Sequence, residues 1–168
     1  MKAALTNLGM YNEGILNYTW IDLPIDEDDF QKALAEVKCC NDEQDFYDEC
    51  GNPYEEYFFS DYEDAPCELG EYESLERLNE IAEKIEEYDD IFLAILEAHG
   101  ERYGLEEDPD NYYLVDADND EDLGYYFVHE IGCIDIPDSL EPYFDYERYG
   151  RDISFDGTYT SYGFLMGA

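Results

Sequence analysis

Residues 74–87, SLERLNEIAEKIEE, contain the clearest secondary-structure signal in this chain. At 100° per residue, one helical face collects only apolar side chains, namely Leu75, Leu78, Ile81, Ala82 and Ile85. Ser74 suits the N-cap position, where a hydroxyl accepts a hydrogen bond from an N–H group of the first turn. The stretch therefore predicts an amphipathic helix with one face in a hydrophobic core.

The opposite face of this helix carries Glu76, Glu80, Glu83 and Glu87. Their mean axial separation is about 5.5 Å at ~1.5 Å per residue, which is comparable in scale with the repeat of phosphates along a nucleic acid. Two interpretations are open. The row is either the solvated outer face that globular helices normally show, or a set of carboxylates that stands in for phosphates.

The acidic excess extends through the whole chain of 168 residues, which has 46 Asp and Glu against 8 Lys and Arg and a formal net charge of -38. An acidic interaction tail would concentrate this charge in one run. A disordered acidic chain would lack apolar residues, whereas here 45% of residues are hydrophobic and 17% are aromatic. The composition predicts a folded acidic protein.

The charge also bears on shape. A compact chain of this length is roughly 40 Å across, and ~40 Å of duplex DNA carries about 24 phosphate charges. A molecule about 65 Å long would match the charge density of DNA with this chain's net charge. Because self-repulsion penalises compactness, we expect an elongated molecule.

Before the helix, residues 3–23 alternate apolar and polar positions around Gly9 and Gly14, which predicts two short strands joined by glycine turns. Asp26 then fits the N-cap of a second helix whose apolar face holds Phe30, Leu34 and Val37. Residues 41–53 are predicted to form a loop, and residues 54–62 a strand.

After the helix, residues 90–99 predict another helix that ends at Gly100. An aromatic strand is expected at residues 112–115, helices at 121–131 and 139–149, and a closing strand at 158–165. The predicted fold class is α+β, with short antiparallel strands plus helices in an elongated chain of three small subdomains. Their expected bounds are 1–61, 62–103 and 104–168.

Several classes of function are disfavoured. We find no phosphate loop, Gly-rich dinucleotide turn or nucleophile elbow, so we expect no enzyme and no cofactor. Nucleic-acid binding is also disfavoured. Eight dispersed Lys and Arg side chains cannot neutralise the phosphates of a nucleic acid that 46 acidic side chains repel. No segment resembles a membrane span or a signal peptide, so the expected location is the cytoplasm.

No metal site is expected either. The five cysteines have no C-x-x-C spacing and are interpreted as reduced thiols without assigned chemistry: Cys39, Cys40, Cys50, Cys67 and Cys133. The stretch from Asp116 to Asp120 resembles the start of a calcium loop, but Glu121 stands where such a loop needs Gly and Phe127 where it needs Glu. A solvated acidic loop is favoured there. His99 is interpreted as the last residue of its helix and His129 as a helix-face residue.

Several stretches resemble the ArdA antirestriction family. They are residues 5–14 (LTNLGMYNEG), 20–24 (WIDLP), 55–63 (EEYFFSDYE), 71–79 (EYESLERLN) and 143–152 (YFDYERYGRD), with Asp156-Gly157. The resemblance implies a three-part α+β protein that dimerises through its C-terminal part and mimics bent B-form DNA. It also implies inhibition of type I restriction-modification enzymes, which protects an incoming mobile element, for example during conjugation. The region around residues 38–53 looks less typical of the family.

Together, charge and resemblance predict that carboxylates on one continuous face occupy the DNA-binding groove of a restriction-modification enzyme, at its methyltransferase core. The candidate contact residues are Asp26, Glu27, Asp28, Asp29, Glu76, Glu80, Glu83, Glu87, Asp116, Asp118, Asp120, Asp122, Asp145, Glu147 and Asp152. A homodimer is also predicted. The candidate interface residues are a dense set of aromatic side chains that fit a hydrophobic core equally well: Tyr112, Tyr113, Tyr125, Tyr126, Phe127, Tyr143 and Phe144.

Two other classes of function remain as alternatives to DNA mimicry. The first is a salt-adapted structural or chaperone-like protein whose acids only maintain solubility. The second is a calcium buffer, which the broken calcium-loop pattern disfavours.

Overall fold

A computed structural model describes all residues, 1–168, as an α+β fold with seven helices and two three-stranded antiparallel sheets. The predicted fold class is confirmed. Chain contacts divide the molecule into two compact units, Met1–Lys84 and Ile85–Ala168. The expected division into three subdomains stays a prediction. None of the helices combines the length and the apolar composition that a membrane span requires.

The first unit is built on a sheet with strand order β2-β1-β3. Its elements are β1 (Lys2–Asn7), α1 (Leu8–Asn12), β2 (Tyr18–Asp22), α2 (Glu27–Glu36), β3 (Tyr57–Glu63) and the start of α3 (Leu75–Tyr88). Because strand side chains alternate between faces, Ala3 and Leu5 reach one core with Phe59. That core also takes the apolar faces of α2 and α3, so both predicted amphipathic helices are confirmed.

The link between β1 and β2 differs from the expected glycine turns, because it contains the short helix α1. Asn7 is fully buried and its side-chain oxygen accepts a hydrogen bond from the Met10 N–H at 2.9 Å. Its Nδ2 donates to the carbonyls of Val37 at 3.1 Å and Lys38 at 3.0 Å. One buried amide thus caps α1 and holds the end of α2 against β1. Sequence periodicity does not register such a cap.

The loop predicted over residues 41–53 is confirmed, with one isolated bridge between Tyr47 and Pro53. The strand expected to begin at Tyr54 begins three residues later, as β3. Ser74 caps α3 as predicted, since its hydroxyl accepts from the Arg77 N–H at 3.2 Å.

The second unit contains the end of α3, α4 (Asp90–His99), α5 (Glu101–Gly104), β4 (Tyr112–Val115), α6 (Asp120–His129), α7 (Tyr146–Ile153), β5 (Gly157–Thr160) and β6 (Gly163–Gly167). Its sheet has the order β4-β6-β5. The central strand β6 sends Phe164 to a core shared with Leu123 of α6, and Leu165 to a core shared with Ile95 of α4. Helices therefore pack on both faces of this sheet.

Two expectations in the second unit are corrected. The helix expected over residues 139–149 is a single 3-10 turn at Glu141–Tyr143 followed by α7, which begins after Asp145. The Asp145 carboxylate accepts from the Arg148 N–H at 3.0 Å, and a cap at this position sets the start of α7. The closing strand over residues 158–165 is a hairpin of β5 and β6. Gly163, at φ +127°, starts β6 in a backbone conformation that other residues rarely adopt.

Helices α6 and α7 approach each other through two glycines. A Cβ placed on Gly150 would lie 1.7 Å from the Asp120 carbonyl oxygen and 2.7 Å from the Gly124 nitrogen. A Cβ placed on Gly124 would lie 2.1 Å from the Tyr146 carbonyl oxygen. The backbones of the two helices are therefore in direct contact, which only residues without a side chain allow.

Candidate functional site

The acidic side chains lie on the surface of the protein. None of the acidic residues is buried, and all except Asp48, Glu73, Glu107, Asp120 and Glu141 are exposed. Of the candidate contact residues, only Asp120 is half-buried. The carboxylates are therefore available to a partner and do not form part of either core.

The first group of candidate acids surrounds the start of α2. Asp26 caps the helix, because its Oδ1 accepts from the Asp29 N–H at 2.8 Å. Glu27 accepts from Gln31 Nε2 at 2.7 Å, and Asp29 pairs with Lys32. Acids at a helix N-terminus are stabilised by the helix dipole, so this group has a structural role besides its charge.

The second group is the row on α3, referred to below as the glutamate row: Glu76, Glu80, Glu83 and Glu87. All four side chains are exposed, opposite the buried Leu78, Ile81 and Ala82. Lys84 Nζ lies 3.5 Å from Glu80 Oε1. The first three members of the row and Glu27 line one open groove of about 850 Å³ in the first unit. Glu87 is not part of its lining.

A third group lies in the second unit. Asp116, Asp118 and Asp122 line one concave surface of about 530 Å³ together with Tyr125, Tyr126 and Glu130. Asn119 caps α6, since its Oδ1 accepts from the Asp122 N–H at 3.0 Å. The stretch that resembles a calcium loop thus runs directly into a helix at Asp120.

Asp120 differs from the other candidates because it holds three elements together. Its Oδ1 accepts from the Tyr159 hydroxyl at 2.9 Å, and its Oδ2 lies 3.3 Å from Arg151 Nε. Burial, followed by this hydrogen bond to Asp120, raises the pKa of Tyr159. The carboxylate therefore joins α6 to α7 and β5.

The fourth group is on α7. Asp145 caps the helix, Glu147 Oε1 lies 2.6 Å from Arg151 Nη2, and Asp152 is exposed. Arg151 thus contacts two candidate acids, Glu147 and Asp120. Part of the negative charge of this group is balanced within the chain.

The aromatic candidates for a dimer interface divide into two sets. Tyr113, Tyr125 and Tyr143 are exposed by 60%, 52% and 85%. The others pack within the second unit, since Tyr126 and Phe127 contact a core, Tyr112 donates to Glu107 Oε2 and Phe144 packs on the Tyr146 ring.

The two histidines lie on the helices where their sequence context predicts them. His99 ends α4 and His129 lies in the last turn of α6, where its Nε2 is 2.8 Å from the Tyr146 hydroxyl. All five cysteines are thiols, and burial raises the pKa of Cys39 to about 12. No group of three or more His, Cys, Asp or Glu side chains is arranged to hold a metal ion.

Sequence reasoning missed the uncharged part of the groove on α2 and α3. Ile25, Tyr57 and Leu75 are half-buried and line it, and Asn79 and Gln31 contribute amides. Each residue occupies an ordinary position in its own element. The pattern contains no signal that these elements share one concave surface.

Comparison with known proteins identifies the family. The family model described as antirestriction protein (ArdA) matches residues 4–165, which is nearly the whole chain. No curated protein matches the chain significantly. The ArdA family is a family of antirestriction inhibitors. Its function is directed at restriction-modification enzymes. The chain described here therefore belongs to the ArdA family of antirestriction proteins.

Proposed function

We propose that this protein inhibits type I restriction-modification enzymes by mimicking B-form DNA and occupying the DNA-binding groove of the methyltransferase core. The observation that carries the proposal is the location of the acids. They are on the surface throughout both units, and four of them form the glutamate row on α3. Such a row is also the normal outer face of a globular helix, and membership of the ArdA family favours the interpretation as phosphate mimics.

The physical basis is substitution of carboxylates for phosphates. Lys and Arg side chains that contact DNA phosphates would pair with carboxylates, and long-range attraction would accelerate the encounter. Phosphate contacts carry most of the sequence-independent affinity for DNA. Because the protein presents no base edges, it would act on enzymes with different recognition sequences.

A competition experiment tests the proposal. A labelled duplex bound to the purified methyltransferase core is titrated with the protein at several salt concentrations. We expect complete displacement, with an apparent affinity that falls steeply as salt rises, because screening weakens the exposed charge contacts. Inhibitor binding that leaves the duplex in place would contradict the groove-occupying mechanism.

We also propose that the protein is a homodimer. The exposed rings of Tyr113, Tyr125 and Tyr143 support the proposal, because large exposed aromatic side chains are enriched in interfaces. We expect dimers by sedimentation at micromolar concentration, and monomers for the Tyr125→Glu, Tyr143→Glu double variant. A monomeric wild-type protein at this concentration would disprove the dimer.

The elongated, three-part shape is a separate proposal, supported by the charge argument alone. A small-angle scattering profile measures it directly. For the monomeric Tyr125→Glu, Tyr143→Glu variant, we expect a maximum dimension greater than the roughly 40 Å of a compact chain. A profile of a sphere would contradict the extended arrangement of carboxylates.

A further inference from the structure

The groove between α2 and α3 in the first unit combines an apolar floor with an acidic rim. Its volume is about 850 Å³. Ile25, Tyr57 and Leu75 form the accessible part of the floor, over the buried Phe30 and Leu34. Purely electrostatic mimicry of a phosphate backbone would not need such a floor.

Four glutamates line the rim of this groove: Glu27 from α2, and Glu76, Glu80 and Glu83 from α3. All four are exposed. The charge of the rim also acts on the floor. The pKa of Tyr57 is raised, mainly by burial and in addition by the negative charge of Glu27. Lys84 of the same helix lies close to the rim, with its Nζ 3.5 Å from Glu80 Oε1.

Hydrogen bonds fix the groove in shape. Asn79 Nδ2 donates to the Ile25 carbonyl at 2.8 Å, and Asn79 Oδ1 accepts from the Ile25 N–H at 2.9 Å. This pair joins the start of α2 to the middle of α3. On the other side, Gln31 holds Glu27 and accepts from the Asp42 N–H at 3.0 Å. The groove therefore requires little ordering when a ligand binds.

We propose that this groove binds a basic segment of a partner protein, whose apolar side chains and the aliphatic stems of its Lys or Arg cover the floor while the charged heads lie at the rim. Long cationic side chains are amphipathic in this way, because their methylene groups cover apolar surface while the head stays in water. Charge complementarity selects this partner, since the rim would repel a polyanion and a neutral apolar segment would leave the glutamates without counter-charges.

The inference rests on the proposed function in one respect, because it assigns the basic segment to the restriction-modification enzyme. It adds an apolar component of affinity that contacts to a phosphate backbone do not have. Salt screens the rim contacts, but the contacts of the floor depend on burial of apolar surface and persist at high salt. The two components are therefore separable by experiment.

Two synthetic peptides of equal charge test the groove. One contains two copies of Leu-Lys-Lys-Leu-Leu-Lys-Leu, and in the other every leucine is glycine. Binding is followed by NMR through the amide resonances of the full-length protein. We expect the leucine peptide to bind about tenfold tighter or more, and to shift the resonances of Ile25, Tyr57 and Leu75. In about 0.5 M NaCl, only the leucine peptide should still bind.

A matched pair of variants locates the effect. Leu75→Gln changes the groove floor, whereas Leu69→Gln changes another half-buried leucine that packs on the same core but does not line the groove. We expect Leu75→Gln to lower the affinity for the leucine peptide about tenfold and Leu69→Gln to leave this affinity unchanged. Equal affinities for the two peptides, resonance shifts confined to residues outside the groove, or equal effects of the two variants would each overturn the inference.

The outcome is independent of the competition experiment. Failure of the peptide test, while the protein still displaces duplex from the methyltransferase, would reject the groove and leave DNA mimicry intact. Failure to displace duplex, with the peptide result as expected, would reject the proposed function and leave the groove as a binding site for a basic segment.

Discussion

Gly150→Ala is expected to destabilise the second unit by about 3 kcal/mol or more, although alanine is the better helix former. Helix propensity alone predicts a gain of about 1 kcal/mol at this position in α7. The new Cβ, however, would lie 1.7 Å from the Asp120 carbonyl oxygen. That atom belongs to the backbone of α6 and cannot rotate away, so the two helices must separate and the cores beneath them lose contacts.

The measurement is chemical denaturation followed by circular dichroism, with hydrogen exchange to locate the loss of protection in α6, α7 and the β4-β6-β5 sheet. Gly124→Ala should act in the same direction, because its Cβ would lie 2.1 Å from the Tyr146 carbonyl oxygen. Gly167→Ala is the control, since nothing lies within 4 Å of a Cβ there. We expect the control to stay within about 0.5 kcal/mol of the wild type. A similarly small change for Gly150→Ala would contradict the backbone contact.

Replacement of the whole glutamate row by glutamine is expected to weaken binding to the restriction-modification enzyme by about 30-fold. Exposed ion pairs contribute roughly 0.5 kcal/mol each, so four lost pairs amount to about 2 kcal/mol. Glutamine keeps the length and the helix propensity of the side chain. Because like charges that follow one another at i,i+4 destabilise a helix, the variant should fold at least as stably as the wild type.

A charge-matched variant separates position from net charge. It replaces four exposed acids of the loop at residues 41–53, as Asp42→Asn, Glu43→Gln, Asp45→Asn and Glu49→Gln. Both variants lose the same formal charge, so a mechanism that depends only on net charge predicts equal losses of affinity, measured by competition with labelled duplex. We expect only the row variant to lose about 30-fold. Equal losses would show that the row has no special part in binding.

Local patterns in the sequence were sufficient for most of the elements. The N-caps Asp26 and Ser74 and the end of α4 before Gly100 lie where their short-range signals predict. These features depend on hydrogen bonds and side-chain periodicity within a few residues. The errors arose where a local device competes with the general pattern, as with the Asn7 cap on α1 and the Asp145 cap on α7.

The candidate site was predicted in composition but not in arrangement. The exposure of the acids follows from the cost of burying charge, which any fold must avoid. The sequence did not indicate that Glu27 lines the same groove as Glu76, or that Asp120 joins three elements. These are contacts between residues far apart in the chain, and no periodic pattern encodes them.

By itself, the sequence determined the net charge, the presence of amphipathic helices, the α+β class and membership of the ArdA family. Only the tertiary structure decided which aromatic rings remain exposed, which carboxylates share a groove and where two helices meet through Gly124 and Gly150. The physical reason is that charge and periodicity are properties of single residues and near neighbours. Grooves and close backbone contacts exist only after distant segments have packed together.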